Sequence, residues 1–306
     1  MKRSYALVLT SPPDHPSLSD FAVARAWAAI PEQHRLNFEW LHPTEAWQAR
    51  FLSDDQPGQI AALRRSIAAA LNGLTLDVNI VADEIGKRRK KLIVADMDST
   101  IIQQECIDEM ADVLGIKDKV AAITERAMRG ELEFETALKE RLALLAGLTN
   151  ADLRRIYDTR ITMMPGAATL VATMRANGAH TALVSGGFSN FTNYVAGYLG
   201  FDENHANTLE WDQQGRLTGR VFGPILGREA KLATLYRLVR EQGLDPQSTL
   251  AVGDGANDLA MVKAAGLGVA FRAKPIVAAE ASASITHGDL TALLYLQGYK
   301  RSEFAG

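Results

Sequence analysis

Residues 92–100 read Leu-Ile-Val-Ala-Asp-Met-Asp-Ser-Thr, four apolar residues running straight into two carboxylates. A short apolar run without alternation is what a strand buried on both faces of a parallel sheet looks like. Two more such runs follow: Thr181-Ala182-Leu183-Val184 leads into Ser185, and Thr249-Leu250-Ala251-Val252 leads into Gly253-Asp254. Leu267 to Phe271 and Ser284 to Thr286 add a fourth and a fifth, and helical stretches fall at 167–177, 190–199, 228–242 and 257–265. Strand and helix in alternation predict an α/β fold, a Rossmann-like doubly wound parallel sheet with right-handed crossovers. Trp211 to Leu217 breaks the rhythm and reads as a β-hairpin with its turn near Gln214-Gly215.

Residues 103–164 carry helix patterns only and fall between the first core strand and the next core helix. They predict a helical cap inserted over the carboxyl edge of the sheet, with the catalytic core made of 87–102 and 165–306. Upstream, residues 1–86 read strand, helix, strand, strand, helix, strand, a small α+β unit of ferredoxin-like order. Its first helix (about 18–30) shows Phe21, Ala24 and Ala28 at helical spacing, with Ser17 and Ser19 as cap candidates; its second (56–71) shows Ile60, Leu63, Ile67 and Leu71.

Composition narrows the class. The chain has 306 residues, 47% hydrophobic and 23% charged, with a net charge of -3, the balance of a soluble globular protein. Near-neutral charge argues against a nucleic-acid partner. The one basic block, Lys87-Arg88-Arg89-Lys90-Lys91, reads as a solvated linker. No run approaches the roughly 20 apolar residues of a membrane span, and the single cysteine, Cys106, allows no intrachain disulfide. A cytoplasmic location follows as the expectation.

Ligands of an open α/β sheet bind outside the carboxyl ends of its strands, where Asp96, Ser185 and Asp254 stand. Buried carboxylates need a positive partner. Oxygen ligands without paired His or a second Cys favour Mg2+ over zinc. In Asp96-Met97-Asp98 one carboxylate can attack while the other carries a proton, although Asp is also a common turn former. Ser185-Gly186-Gly187 before a helix can cradle an oxyanion, or be a plain loop. Lys231, early in the next helix, can supply a point charge to a phosphate. Gly253-Asp254-Gly255-Ala256-Asn257-Asp258 is the most specific of these: Asp254 can hold the metal, and Asn257 and Asp258 can orient it from behind.

Other chemistries fail on residues. There is no P-loop, no G-x-G-x-x-G after a strand, and Ser185 does not sit in G-x-S-x-G. Cys106 has Asp112 where a cysteine-dependent phosphatase would want Arg, and the six histidines show no metal-ligand spacing.

DMDST (96–100), SGGF (185–188), Lys231 and GDGAND (253–258), in that order, resemble the four motifs of the haloacid dehalogenase superfamily of phosphotransferases. In the cap, Glu105, the stretch Ala127-Met128-Arg129-Gly130-Glu131 and FETALKER (134–141) are similar to the phosphoserine phosphatases of that superfamily. The resemblance implies Asp96 as the nucleophile that becomes an aspartyl-phosphate, and Asp98 as acid and then base. It implies Ser185, Gly186, Asn257 and Lys231 around the phosphoryl group. Mg2+ would be held by Asp96, the main-chain carbonyl of Asp98, and Asp254, with Asp258 behind. Glu105 would meet the substrate ammonium and Arg141 its carboxylate, with Met128 and Phe134 closing over the apolar side. The implied substrate is O-phospho-L-serine, and the implied reaction is its hydrolysis to L-serine, the last step of serine biosynthesis. Transfer of the phosphoryl group to another alcohol such as homoserine is the alternative, and a serine-binding regulator is an alternative of another class. Relatives with an N-terminal region resembling the ACT fold imply the same for residues 1–86, with dimerisation through that unit or packing against the core as its role.

Overall fold

The structure, a computed structural model, describes residues 2–54, 58–84, 86–129 and 131–306, leaving aside the side chain of Met128. The N-terminal unit comprises β1 (Arg3–Thr10), α1 (Asp20–Ala29), β2 (Arg35–His42), β3 (Ala46–Ser53), α2 (Gln59–Ala70) and β4 (Asp77–Ala82), the order expected. The expected helix start at Gln56 lies outside the described residues. The four strands form an antiparallel sheet in the order β2-β3-β1-β4. β1 explains how this sheet is placed. Tyr5, Leu7 and Leu9 pack with Trp47, Ala26 and Ile67 under the unit's own helices, while Ala6 and Val8 join the core of the rest of the chain. Both sides of the sheet are therefore covered at β1, while much of the edge strand β2 stays exposed.

Helix α1 turns a different face inward from the one expected. Ala22 and Ala26 are buried, whereas Phe21 is 67% exposed and Ala24 and Ala28 face solvent. Ser19 is the cap, accepting from the Ala22 N–H, while the Ser17 hydroxyl donates to the Thr75 carbonyl.

Strand β5 (Leu92–Ala95) opens the larger sheet, and four helices follow it: α3 (Cys106–Val113), α4 (Lys117–Met128), α5 (Phe134–Leu144) and α6 (Asn150–Thr159). The chain enters and leaves these helices side by side, through the Ile102–Met163 bridge and the Met164 N–H to Ile101 carbonyl bond. Then come α7 (Ala167–Ala176), β6 (His180–Phe188), α8 (Ser189–Leu199), β7 (Glu203–Trp211), β8 (Leu217–Phe222), α9 (Arg228–Glu241) and β9 (Thr249–Gly253). The chain finishes with α10 (Leu259–Ala264), β10 (Leu267–Phe271), α11 (Pro275–Glu280), β11 (Ala283–Ile285) and α12 (Ala292–Leu296).

The seven strands lie in the order β11-β10-β9-β5-β6-β7-β8, parallel except for β8, which closes the expected hairpin against β7. Alternate residues of β5 serve opposite faces. Ile93 and Ala95 pack with α7 and α8 residues such as Leu170 and Phe191, and Leu92 and Val94 with Leu235, Leu238 and Met261 of α9 and α10. This is a doubly wound sheet. Its strand order reverses between β5 and β9, which is where such sheets bind ligands.

The two sheets are joined at their edges by side chains. The Asn79 amide donates to the Ser284 carbonyl and accepts from the Ser284 N–H, at 2.9 and 2.8 Å, as a neighbouring strand would. Asp77 accepts from the N–H groups of Thr286, His287 and Gly288. Residues 87–91 run between the sheets and are not the solvated linker that their composition suggests. Arg88 and Lys90 are buried: Arg88 pairs with Asp83 and donates to the Leu296 carbonyl, and the Lys90 amine donates to the carbonyls of Lys87 and Gln247. Arg89 lies over the Tyr299 ring and pairs with Glu303. Two of the five basic charges, Arg88 and Lys90, are spent inside the fold.

Candidate active site

Asp96 follows β5 directly, and Asp254 follows β9 on the neighbouring strand. Asp258 returns beside them because the turn Gly255–Asp258 closes on itself, with the Asp258 N–H donating to the Gly255 carbonyl and the Gly255 N–H to Asp258 Oδ2. That turn delays helix α10 to Leu259, two residues after its expected start. Carboxylate oxygens of Asp96, Asp254 and Asp258 all lie within 4.8 Å of one another. From α9, Lys231 reaches in, 2% exposed, with Nζ 2.6 Å from Asp96 Oδ1 and 2.5 Å from Asp258 Oδ1.

The charges do not balance. Burial alone would lower the pKa of Lys231, but Asp96 and Asp258 outweigh it and keep the amine protonated. One ammonium against three carboxylates leaves the cluster negative. Asp96 is driven well above the usual carboxylate range by burial and by the charge of Asp258, against the pull of Lys231. Asp254 is pushed up to about 6 by burial and by Asp258. Three hard oxygens converging on one point, with charge to spare, fit a Mg2+ ion. Asp258, expected behind the metal, offers an oxygen of its own to this group.

Asp98 points elsewhere. Its Oδ1 accepts from the Cys106 N–H, 3.0 Å away at the first turn of α3, and its Oδ2 from the Ser185 hydroxyl at 3.2 Å. Burial raises its pKa, opposed by these hydrogen bonds. Ser185 is not at a strand end as expected, because β6 continues through Gly186 and Gly187 to Phe188. A side chain at Gly187 would put its Cβ 3.0 Å from both Asp98 Oδ2 and Ser185 Oγ, so any larger residue would press on that pair and make it shift by a few tenths of an ångström. Cys106 lends its backbone; burial pushes its thiol pKa up, which makes it a packing group.

The helices α3–α5 supply the opposite wall. Glu105 sits just before α3 and accepts from the Ser99 hydroxyl at 2.6 Å. Solvent reaches the residue, yet the crowded cleft around its carboxyl and the nearby charges of Asp98 and Asp254 push its pKa up to about 7. Arg141, on α5, donates to the Ala137 carbonyl and to Thr124 Oγ1. Burial lowers its pKa, with Asp108 and Glu105 opposing. The Phe134 ring leans onto the core: a Cβ built on Gly186 would lie 3.4 Å from its Cζ, and one on Gly227 3.7 Å from its ring. Met128 ends α4, with its side chain outside the described residues, as is Gly130 of the same motif. Asn257 lies in the turn after Asp254, its amide folded over Gly255.

Two residues had no role assigned from sequence. Ser99, at φ 55°, holds a left-handed turn that brings its hydroxyl to Glu105; a short polar residue between Asp98 and Glu105 was the available signal. Asn207, on β7, is buried and bonded to Gly186 and Leu226, and nothing local in sequence marks it.

Residues 93–263 match the haloacid dehalogenase-like hydrolase family. The chain is 44% identical over 241 residues to a phosphoserine phosphatase of Streptomyces coelicolor, which covers 79% of this chain but 58% of that protein's length. It is 42% identical over 243 residues to one from Archaeoglobus fulgidus, covering 79% of this chain and 70% of the relative. Among solved structures, an unliganded probable phosphoserine phosphatase from Vibrio cholerae superposes with a TM-score of 0.77 at 33% identity, over 98% of this chain and 88% of that one. The family match spans the strands that carry Asp96, Ser185 and Asp254, and the chain belongs to the haloacid dehalogenase-like hydrolases, in their phosphoserine phosphatase branch.

Proposed function

We propose that this chain hydrolyses O-phospho-L-serine to L-serine and phosphate through an aspartyl-phosphate on Asp96. The observation that carries this reading is the meeting of Asp96, Asp254, Asp258 and buried Lys231 on one side of a cleft, with Glu105 and Arg141 on the other. Asp96, Asp254, Asp258 and the main-chain carbonyl of Asp98 are the groups that would hold Mg2+. When bound, the ion neutralises phosphoryl oxygens and offsets the repulsion between a phosphate dianion and a carboxylate nucleophile.

This chain's own residues do the rest. Lys231 and the Ser185 hydroxyl hold phosphoryl oxygens, with the Gly186 backbone and Asn257 beside them. The Asp96 carboxylate attacks phosphorus, and the P–O bond to the serine oxygen breaks. Asp98, whose burial favours holding a proton, gives it to that oxygen. Asp98 then takes a proton from water, and the resulting hydroxide attacks the aspartyl-phosphate, freeing Asp96 and phosphate. Glu105 receives the substrate ammonium and Arg141 its carboxylate, a pairing that Arg makes in two parallel hydrogen bonds. Met128 and Phe134 exclude water above them.

The same reading divides the chain into an ACT-like unit at 1–86, a core at 87–102 and 165–306, and a cap at 103–164. It also places the protein in the cytoplasm, with the N-terminal unit as the surface for a homodimer. Among the described residues, no helix is long and apolar enough to cross a membrane. The test is release of inorganic phosphate from O-phospho-L-serine with Mg2+ or with EDTA. Release that EDTA abolishes supports the reading. Release from another small phosphate ester alone would keep the chemistry and overturn the substrate. Product analysis with homoserine present separates hydrolysis from transfer, and a folded protein that binds Mg2+ and turns over nothing would be a regulator.

A further inference from the structure

Beside the candidate site, β6 leaves its ladder with β7. Val184 pairs with His205 and Phe188 with Asn207, so Ser185, Gly186 and Gly187 stand against Ala206 alone. The side chain of Asn207 fills that break. It is 2% exposed, and its bonds go to backbone: Nδ2 donates to the Gly186 carbonyl at 2.9 Å and more weakly to the Leu226 carbonyl at 3.4 Å, and Oδ1 accepts from the Leu226 N–H at 2.7 Å. A carbonyl needs a donor and an N–H needs an acceptor, so these partners fix which end of the amide faces which.

Asn207 thereby ties together the two segments that bear the phosphoryl-binding groups. One is the Ser185–Gly187 stretch. The other is the turn at Leu226–Gly227, which opens α9 four residues before Lys231. The peptide between Gly186 and Gly187 carries the constraint onward. In a planar trans peptide the C=O and the N–H point in opposite directions. Asn207 holds the oxygen on one side, and on the other the Gly187 N–H donates to Ser185 Oγ at 2.8 Å. With that lone pair occupied, the Ser185 hydroxyl hydrogen is directed into the cleft, where it meets Asp98 Oδ2.

We propose that Asn207 is a positioning residue for the phosphoryl group. It fixes the spacing of the Ser185 and Lys231 sides and the direction of the Ser185 hydroxyl, and so raises affinity for a phosphate dianion that it does not touch. The proposal rests on the phosphate-ester reading of the site and adds a residue that the reaction itself does not require.

The experiment compares wild type with Asn207→Asp, which keeps the acceptor for Leu226 but loses the donor to Gly186, and with Asn207→Leu, which loses both at similar volume. Inorganic phosphate is bound by equilibrium dialysis with Mg2+ present, and phosphoserine kinetics are run in parallel. Loss of a buried hydrogen bond to the cradle predicts a rise of about ten-fold in the phosphate Kd and in KM, with a smaller change in kcat. A residue that only stabilised the fold would lower Tm and the active fraction and leave both constants unchanged, which overturns the proposal. Wild type that binds phosphate but does not cleave phosphoserine ends the substrate reading and leaves the Kd comparison to decide Asn207. Wild type that binds no phosphate overturns both. Should neither variant fold, amide exchange of wild type decides: phosphate must slow the Gly187 and Leu226 amides together, and a Leu226 amide indifferent to phosphate refutes the link.

Discussion

The two walls of the cleft are held by different physics. On the core side, Asp96, Lys231 and Asp258 are 4%, 2% and 0% exposed and are locked by short ion pairs at the ends of buried strands. On the cap side, Glu105 is open to solvent, Phe134 is 39% exposed, and Arg141 is held by bonds of 3.2 and 3.3 Å within its own helices. The core wall is built for chemistry that cannot tolerate displacement. The cap wall is built to meet a ligand that comes and goes. Substitutions on the two walls should therefore differ in kind as well as in size.

The largest effect is expected from Asp96→Asn. It keeps shape and removes the attacking oxygen, so phosphate release should fall by about 10⁴-fold or more. A single-turnover experiment on wild type should trap phosphate on protein, and the variant should trap none. Residual turnover near the wild-type rate would mean that Asp96 serves the charge cluster alone.

Lys231→Met comes next and tests the core wall as structure. It strands Asp96 and Asp258 in a buried site without their ammonium. Breaking one partner out of such a group costs about 3–5 kcal/mol, to be read from urea unfolding without Mg2+. Added Mg2+ should return part of that loss if the three carboxylates share the ion. A variant as stable as wild type would show that the cluster is held by protonation instead of charge pairing.

On the cap wall, Glu105→Gln and Arg141→Ala should each raise KM for phosphoserine by about 30-fold, the worth of a partly desolvated charge contact. Cleavage of p-nitrophenyl phosphate, which carries neither an ammonium nor a carboxylate, should change little. Equal losses on both substrates would move these residues from recognition to chemistry and erase the contrast between the walls.

The same contrast decides what the sequence discloses. Strand-end carboxylates are adjacent to the apolar runs that bury them, so 92–100 and 249–258 show fold and chemistry together. Glu105 precedes α3 and Arg141 sits on α5, and only resemblance to a family marked them among many cap charges. Helix α1 misleads because alanines occupy several of its stripes: Phe21 is large and apolar, yet close packing on the sheet selects small Ala22 and Ala26. The block 87–91 misleads because its partners, Gln247, Leu296 and Glu303, lie more than 150 residues away. Asn207 was invisible for a related reason. Its role exists only because Gly186 and Gly187 break a ladder that a linear pattern cannot show.

The smallest effect ties the walls together. Although solvent reaches the residue, Glu105 has its pKa pushed up to about 7, first by the crowding that desolvates its carboxyl and then by the charge of Asp98, with Asp254 also contributing. An ammonium binds the ionised form, so protonation competes with the ligand. The Ki of L-serine should therefore be level above pH 7 and rise toward ten-fold per unit below it. Glu105→Gln should bind more weakly and lose the inflection. Repeating the titration with Mg2+ gives the sharper result. A cation neutralising Asp254 removes one of the charges that raise Glu105, so the inflection should move to lower pH. An inflection that ignores Mg2+ would mean that the two walls do not sense each other's charge, and that recognition and chemistry share a cleft without electrostatic coupling.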